Sequence, residues 1–143
     1  MSTNCILCKE DGGQLIWRGD DARVVLIDDP ELPGYCRIIW NRHVAEMSDL
    51  SQVEREILMA LVDVTEFAIR RVMHAQKINI ASLGNQVPHL HWHVIPRFVD
   101  DPFFPGSIWS SKQRELSDIT RKARREAAKS LPDAIRSGIA DLA

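Results

Sequence analysis

Histidine alternates with apolar residues over one short segment, and this alternation constrains the fold more than any other feature of the chain. The segment VPHLHWHVIPRF covers residues 87–98, and its histidines are His89, His91 and His93. The intervening apolar residues are Leu90, Trp92 and Val94. Because side chains alternate between the two faces of a β-strand, we expect the imidazoles on one face and the apolar residues on the other. The apolar face would then pack under a helix.

The sequence before and after this segment predicts further strands and one long helix. Strands are predicted at residues 14–18, 22–28, 35–40, 78–84 and 87–98, the last bounded by Pro88 and Pro96. The helix is predicted from Ser48 to about Ala75, because Ser51 and Glu54 have the spacing of a capping box. Its apolar face is predicted to contain Ile57, Leu61, Val64, Ala68 and Val72.

The last part of the chain is predicted to be helical from Ser107 onward, with Pro132 at the start of a final helix. The order of elements indicates an α+β fold with a mostly antiparallel sheet, one long helix and a helical C-terminal tail. A length of 143 residues fits one domain. We expect its main part at residues 1–110 and a helical extension of the same domain at residues 111–143.

Composition argues against two classes of partner. Charged residues make up 27% of the chain and the formal net charge is -2, whereas a general nucleic-acid binder has a basic surplus. No apolar run approaches the length of a membrane span, and the N-terminus lacks the pattern of a signal peptide. We therefore expect a cytoplasmic protein. Its three cysteines argue against a disulfide framework, so Cys5-x-x-Cys8 suggests half of a metal site or a redox pair.

The histidine row permits three interpretations. It can be a solvated strand face, which is the least favoured because three of only five histidines fall within five positions. It can hold a catalytic metal through neutral imidazoles. It can also carry out phosphorus chemistry, in which one neutral imidazole attacks and a second donates hydrogen bonds to phosphate oxygens.

The segment His89-Leu-His91-Trp-His93-Val94-Ile95 resembles the motif of the histidine-triad (HIT) family, His-x-His-x-His followed by two apolar positions. The upstream NIASLGNQVPH and residues 38–50, IIWNRHVAEMSDL, also resemble that family, and the likeness extends from Cys5 to about Trp109. It implies a HIT-like α+β fold and nucleotide hydrolase or transferase activity at the α-phosphorus. By position, His91 would be the nucleophile that forms a nucleotidyl-histidine, and His93 would bind the phosphate.

The resemblance also implies three substrate-binding residues. Gln86 and Asn79 correspond to polar residues that contact the phosphate, although Asn79 lies one residue closer to the motif than is usual. Asp28 corresponds to the residue that holds the ribose hydroxyls. The alternatives are an ordinary loop or strand amide for the first two and turn chemistry before Pro30 for Asp28. Tyr35 occupies a position at which some branches of the family carry a histidine, so the role of that histidine is lost or altered.

A structural zinc site is the further implication of the resemblance. Some related bacterial proteins hold zinc with two thiolates and two imidazoles, a common tetrahedral ligand set. The corresponding residues here are Cys5, Cys8, His43 and His89. Four protein ligands leave no position for a metal-bound water, so such a zinc would connect the N-terminus to the histidine strand. Without metal, His89 would be an orienting residue.

The resulting hypothesis is a hydrolase that acts on a purine nucleotide with a substituted phosphate, such as a dinucleoside polyphosphate or a nucleoside phosphoramidate. A homodimer with joined sheets is expected from the resemblance, and neither nucleic acid nor a membrane is expected as a partner. Two alternatives remain open at this point. One is a metallohydrolase in which the histidine row binds the catalytic metal, and the other is a nucleotide-binding protein without catalytic activity.

Overall fold

The computed structural model describes residues 4–142 and shows a five-stranded sheet with helices packed mainly on one side. The strands are β1 (Gln14–Arg18), β2 (Ala22–Leu26), β3 (Cys36–Trp40), β4 (Lys77–Ala81) and β5 (His91–Arg97). The helices are α1 (Ile6–Lys9), α2 (Gln52–Met73), α3 (Asp118–Ala128) and α4 (Leu131–Ala140), and Met47–Asp49 forms a 3₁₀ turn. The predicted α+β fold with a long helix is confirmed.

All neighbouring strands pair antiparallel, in the order β1-β2-β3-β5-β4. The register places Arg37 opposite His93 and Ile39 opposite His91. Strand β5 is therefore an inner strand, and β4 forms one edge of the sheet. This pairing brings a residue of β3 beside each histidine of β5.

The histidine-bearing strand differs from its predicted limits. It begins at His91, so His89 lies in the loop that precedes it. It also continues through Pro96, which was expected to end it. Proline is tolerated there because β3 pairs with β5 only as far as Val94, whereas β4 pairs with it up to Arg97. The N–H that proline lacks would point away from β4, toward the side of β5 that has no partner.

Helix α2 covers one face of the sheet and is shorter than predicted. Ser51 is its N-cap and forms the predicted capping box with Glu54, while residues 47–49 form a separate turn before it. The buried residues of α2 are Leu58, Leu61, Val62, Thr65, Ala68, Ile69 and Met73. The predicted apolar face was shifted by about one position, since Ile57 is exposed. Adjacent apolar pairs such as 57–58 and 61–62 satisfy the helical period in either register, so the sequence did not distinguish them.

The two faces of the sheet have different coverings. Leu90, Trp92 and Val94 pack in the main core under α2, as the alternation predicted. The opposite face carries the histidines and is covered in part by the N-terminal segment, where Leu7 packs against Ile39. Within residues 4–142, no helix combines the length and the apolar character that crossing a bilayer requires.

The C-terminal segment is helical only from Asp118, so the prediction of helix from Ser107 onward was wrong for residues 107–117. Helix α4 begins at Leu131 with Pro132 in its first turn, as predicted. Leu131 and Ile135 of α4 are fully buried in the main core beside α2. The last helices therefore contribute to the same core as the sheet.

Two isoleucines of these helices provide a matched test of that contribution. Ile135 is 0% exposed and Ile119 is 84% exposed. Ile135→Ala should lower the free energy of unfolding by about 3 kcal/mol because it leaves a cavity in the core. Ile119→Ala should change it by less than about 0.5 kcal/mol. Urea unfolding followed by circular dichroism measures both values, and equal small effects would show that α4 does not support the core.

Candidate active site

His91 and His93 lie side by side on the sheet face opposite α2. Their ring centroids are 4.9 Å apart and the ring planes are inclined by 74°. Both side chains are buried, and the ring of Trp109 stands edge-on to His93 with centroids 5.0 Å apart. The two imidazoles are therefore close enough to contact one small group, such as a phosphate, at the same time.

The hydrogen bond of His91 determines its tautomer. Its Nδ1 lies 2.6 Å from the main-chain carbonyl oxygen of His89. A carbonyl oxygen only accepts hydrogen bonds, so Nδ1 of His91 carries the proton and Nε2 keeps a free lone pair. Burial lowers the pKa of His91, with the nearby charge of Arg37 acting in the same direction. The ring is thus neutral near pH 7, with Nε2 available for attack.

The hydrogen bonds of His93 lead to the opposite tautomer. Its Nδ1 lies 2.5 Å from the hydroxyl of Tyr35, and that hydroxyl accepts a hydrogen bond from Nε of Arg37 at 3.1 Å. Burial raises the pKa of Tyr35, so the hydroxyl stays protonated and donates to Nδ1. Burial, with Arg37 and His91 in addition, lowers the pKa of His93 to about 3. The neutral ring of His93 therefore carries its proton on Nε2, where it can be donated to an oxygen anion.

Both imidazoles open into a cavity of about 550 Å³. Its lining residues are Ile6, Leu7, Arg37, Leu83, Gly84, Asn85, Gln86, Val87, His91, His93, Ser107 and Trp109. The loop between β4 and β5 contributes five of these positions, and Gly84 in that loop has a positive φ of 72°. The wall combines apolar and aromatic groups with a few polar ones, which suits a nucleotide better than a fully polar ligand.

The three predicted substrate-binding residues have different positions. Gln86 lines the cavity. Asp28 does not; it lies in a separate depression, exposed, with a carboxylate oxygen 3.3 Å from Arg125. Asn79 is also absent from the cavity wall, and its side-chain oxygen accepts a hydrogen bond of 2.7 Å from Arg97. Only Gln86 of the three is thus brought together with His91 and His93.

Arg97 explains the orientation of Asn79. Its buried guanidinium pairs with Asp101, whose carboxylate oxygen lies 2.8 Å from Nε, and also donates to the carbonyl of Gly106. The side-chain oxygen of Asn79 completes this network, so the amide is used to hold the loop that follows β5. That loop carries Trp109 back to His93, which makes Asn79 a support of the cavity wall.

A second cluster joins the four residues predicted to bind metal. The ligand atoms of Cys5, Cys8, His43 and His89 all lie within 4.8 Å of one another. Nδ1 of His89 is 3.3 Å from Sγ of Cys5 and 3.2 Å from Nδ1 of His43. Nε2 of His89 lies 2.6 Å from the carbonyl of Trp40, so Nε2 carries the proton and Nδ1 presents its lone pair to the cluster. This set of side chains can hold a metal ion.

Arg37 is a cavity residue that the sequence did not reveal, and Tyr35 was noted only as a departure from the histidine of some family branches. Both lie in or beside β3, and residues 35, 37 and 39 share the face that carries the histidines. An arginine at position 37, between Cys36 and Ile38 in an otherwise apolar strand, was the available signal. It became interpretable only with the pairing of β3 and β5, which a single sequence does not specify.

Comparison with known proteins agrees with this geometry. A family model described as the HIT domain matches residues 9–100. The chain belongs to the HIT-domain family. Two structures have a similar fold: a histidine triad protein from Bradyrhizobium japonicum, with TM-score 0.71 and 28% identity over 90% of this chain and 92% of that one, and a HIT protein from Sinorhizobium meliloti, with TM-score 0.72 and 25% identity over 95% and 98%.

Two curated relatives carry functional names. This HIT protein is 30% identical over 122 residues to AP-4-A phosphorylase of Mycobacterium tuberculosis, covering 81% of its own chain and 62% of the relative. It is 32% identical over 91 residues to the asymmetrical bis(5'-nucleosyl)-tetraphosphatase of Schizosaccharomyces pombe, covering 60% of its own chain and 50% of the relative. The chain thus spans between half and two thirds of the length of these two proteins.

The opposite tautomers of His91 and His93 predict distinct nitrogen NMR spectra for this HIT protein. The protonated ring nitrogen should be Nδ1 in His91 and Nε2 in His93. The shifts of His93 should not change between about pH 8 and about pH 5, whereas free histidine in the same tube titrates near pH 6.5. Because unfolding restores an ordinary pKa to His93, its contribution to stability should decrease as the pH falls below about 6.5.

Tyr35→Phe is the matched variant for this experiment, since it removes the hydroxyl that fixes His93 and keeps the ring. It should give His93 a mixture of tautomers while His91 keeps its proton on Nδ1. Identical tautomers in the two rings of the unmodified protein would contradict the assignment.

Proposed function

We propose that this protein is a nucleotide hydrolase that cleaves at the α-phosphorus of a substituted purine nucleotide through a nucleotidyl intermediate on His91. The observation that carries the proposal is the pairing of opposite tautomers in one cavity. His91 presents a lone pair and His93 presents an N–H, which are the nucleophile and the oxyanion donor that phosphoryl-transfer chemistry requires. Membership in the HIT family supports the same assignment.

The reaction proceeds in two displacements. Nε2 of His91 forms a bond to the α-phosphorus, and the bond from phosphorus to the leaving group breaks, with the electron pair departing on that group. Nε2–H of His93 donates to a non-bridging oxygen as negative charge increases there. The His91 ring becomes positively charged, and its Nδ1–H bond to the carbonyl of His89 strengthens. Water then attacks phosphorus, the P–N bond breaks, a proton passes to solvent and the nucleoside monophosphate is released.

The substrate class follows from the relatives and from the cavity. The two named relatives act, by their names, on AP-4-A and on a bis(5'-nucleosyl) tetraphosphate. We therefore propose a dinucleoside polyphosphate as the substrate of this protein, with Gln86 as a further contact in the cavity. Asp28 remains a prediction for the ribose, because its carboxylate lies outside the cavity wall and faces Arg125.

The Cys/His cluster is proposed as a structural zinc site. Tetrahedral ligation at ordinary bond lengths separates two nitrogens by about 3.3 Å and a nitrogen from a sulfur by about 3.5 Å. The separations of 3.2 Å between His43 and His89 and of 3.3 Å between Cys8 and His43 are close to those values. Four protein ligands complete the shell, so this zinc would hold the N-terminal segment against the loop that carries His89.

The geometry disfavours the alternative of a metallohydrolase that uses the histidine row as one catalytic site. Among the described residues, the metal-ligand cluster contains His89 and excludes His91 and His93. The three histidines of the motif are thus divided between two separate sites. The second alternative is a nucleotide-binding protein without catalytic activity. Binding alone does not require a free lone pair on His91, so this feature favours the catalytic proposal.

We also propose that the protein forms a homodimer and that it is cytoplasmic. Strand β4 is an edge of the sheet, and its Ile80 is exposed, which leaves a strand able to pair with a second copy. The cysteines are free of disulfide bonds, which suits a reducing compartment. Light scattering after size-exclusion chromatography measures the oligomeric state.

His91→Ala should reduce turnover of diadenosine tetraphosphate by about 10³-fold or more, because no other group in the cavity replaces the nucleophile. Product release is measured by chromatography of the nucleotides. His74→Ala, at an exposed helix end far from the cavity, is the control and should keep full activity. Undiminished turnover by the His91 variant would eliminate the mechanism.

Metal analysis of protein purified without chelator should find about one zinc per chain. Cys5→Ser should lose that zinc and lower the thermal midpoint, since the metal connects segments far apart in the chain. Cys36→Ala alters a buried thiol outside the cluster and should retain zinc. An active protein that contains no metal would instead make His89 an orienting residue.

A further inference from the structure

Arg37 is a charged residue in the cavity that neither the motif nor the reaction scheme uses. It lies in the middle of β3 with His93 as its cross-strand neighbour. Among the described residues that line the cavity, Arg37 is the only arginine or lysine, and no aspartate or glutamate is present to neutralise it. The cavity is therefore electropositive at this one point.

The guanidinium of Arg37 is only partly used by the protein. Its Nε donates to the hydroxyl of Tyr35, and its carbon lies 5.3 Å from the centre of that ring. Within residues 4–142, neither terminal nitrogen has a hydrogen-bond partner and no carboxylate forms an ion pair with it. Four N–H bonds of a half-buried cation thus remain available inside a cavity.

The two fully buried arginines of the sheet show the contrast. Arg23 donates to three main-chain carbonyls and to Asn41, with distances from 2.7 to 3.0 Å. Arg97 donates to both oxygens of Asp101, to Asn79 and to Gly106. Every nitrogen of these two guanidinium groups has a hydrogen-bond partner, whereas the terminal nitrogens of Arg37, a residue of the cavity wall, have none among the described residues. Such an arrangement is typical of a residue that binds a ligand anion.

The position of Arg37 separates it from the group that His91 attacks. Opposite His91 in the sheet is Ile39, so Arg37 is the diagonal neighbour of the nucleophile. Diagonal positions on paired strands lie about 7–8 Å apart. Arg37 lies directly opposite His93 and diagonal to His91, so its terminal nitrogens are suited to an anionic group that adjoins a phosphate held by the two imidazoles.

We propose that Arg37 binds a second phosphoryl group and so gives the site a preference for polyphosphate substrates over nucleotides with a neutral leaving group. This inference rests on the proposed function and specifies its substrate class. The second phosphoryl group is the part of the leaving group that adjoins the attacked phosphorus.

Arg37→Gln tests the preference directly. It should reduce kcat/KM for diadenosine tetraphosphate by about 10- to 100-fold, the range of a lost charge-assisted hydrogen bond. For adenosine 5'-phosphoramidate, whose leaving group is ammonia, the reduction should be less than about 3-fold. Arg37→Lys should recover part of the loss, and Arg70→Gln, on the far surface of α2, should change neither substrate.

Assays with and without inorganic phosphate identify the source of the anion. A selective loss on the tetraphosphate in phosphate-free buffer assigns the bound anion to the leaving group and supports the proposal. A loss that occurs only with added phosphate would assign Arg37 to an acceptor phosphate and would overturn it. Equal losses on the two substrates, or no loss on either, would also overturn it.

Tyr35→Phe separates anion binding from the positioning of His93. Because it removes the hydroxyl and keeps the guanidinium, it should slow both substrates by a similar factor. A selective loss on the tetraphosphate in this variant would show that the preference depends on Tyr35, which would overturn the assignment to Arg37.

A binding measurement keeps this inference distinct from the proposed function. In the His91→Ala background, calorimetry should find ADP bound about 10-fold more tightly than AMP, and adding Arg37→Gln should abolish that difference. Equal affinities before the second substitution would overturn the proposal even if the enzyme proves active. If His91→Ala binds ADP more tightly than AMP, Arg37→Gln abolishes that difference and His91→Ala still turns over substrate, the proposed mechanism is refuted and the anion site is supported.

Discussion

The hydrogen bond from Nδ1 of His91 to the carbonyl of His89 is the contact on which the rest of the site depends. It fixes the tautomer of His91, the proposed nucleophile, and its acceptor belongs to a residue whose own side chain points into the Cys/His cluster. A metal at that cluster would hold His89 in place without touching the substrate. The cluster and His91 are thus connected through a short segment of main chain, so a metal bound at the cluster would also help to position His91.

The neighbouring imidazole, His93, is held in the opposite tautomer by contacts from Tyr35 and Arg37. Arg37 donates to Tyr35, Tyr35 donates to His93, and His93 is left with an N–H toward the cavity. Burial keeps both rings neutral, so His91 presents a nitrogen lone pair to the cavity and His93 presents an N–H donor. Two chemically identical side chains obtain different roles because one contacts a carbonyl oxygen and the other a hydroxyl group.

The sequence predicted much of this arrangement because it depends on local pattern. Alternation placed His91 and His93 on one face, and the family resemblance predicted that Cys5, Cys8, His43 and His89 would lie together. The sequence was less informative where tertiary contacts decide the role of a side chain. The amide oxygen of Asn79 accepts a hydrogen bond from Arg97. Arg97 is near the end of a strand, where an arginine would ordinarily be solvated, yet it is buried in an ion pair with Asp101. The position of Arg37 beside His93 depends on the register of β3 against β5, which the hydrophobic periodicity of the sequence does not specify.

The central claim is that His91, and neither of its neighbours in the motif, becomes covalently bonded to the nucleotide. Trypsin places all three histidines in one peptide, residues 78–97, because no lysine or arginine lies between Lys77 and Arg97. Rapid quenching during turnover of diadenosine tetraphosphate, followed by fragmentation of that peptide in a mass spectrometer, locates the adduct. A nucleoside monophosphate on His91 is the predicted result. An adduct on His93, or turnover without any adduct, would contradict the account.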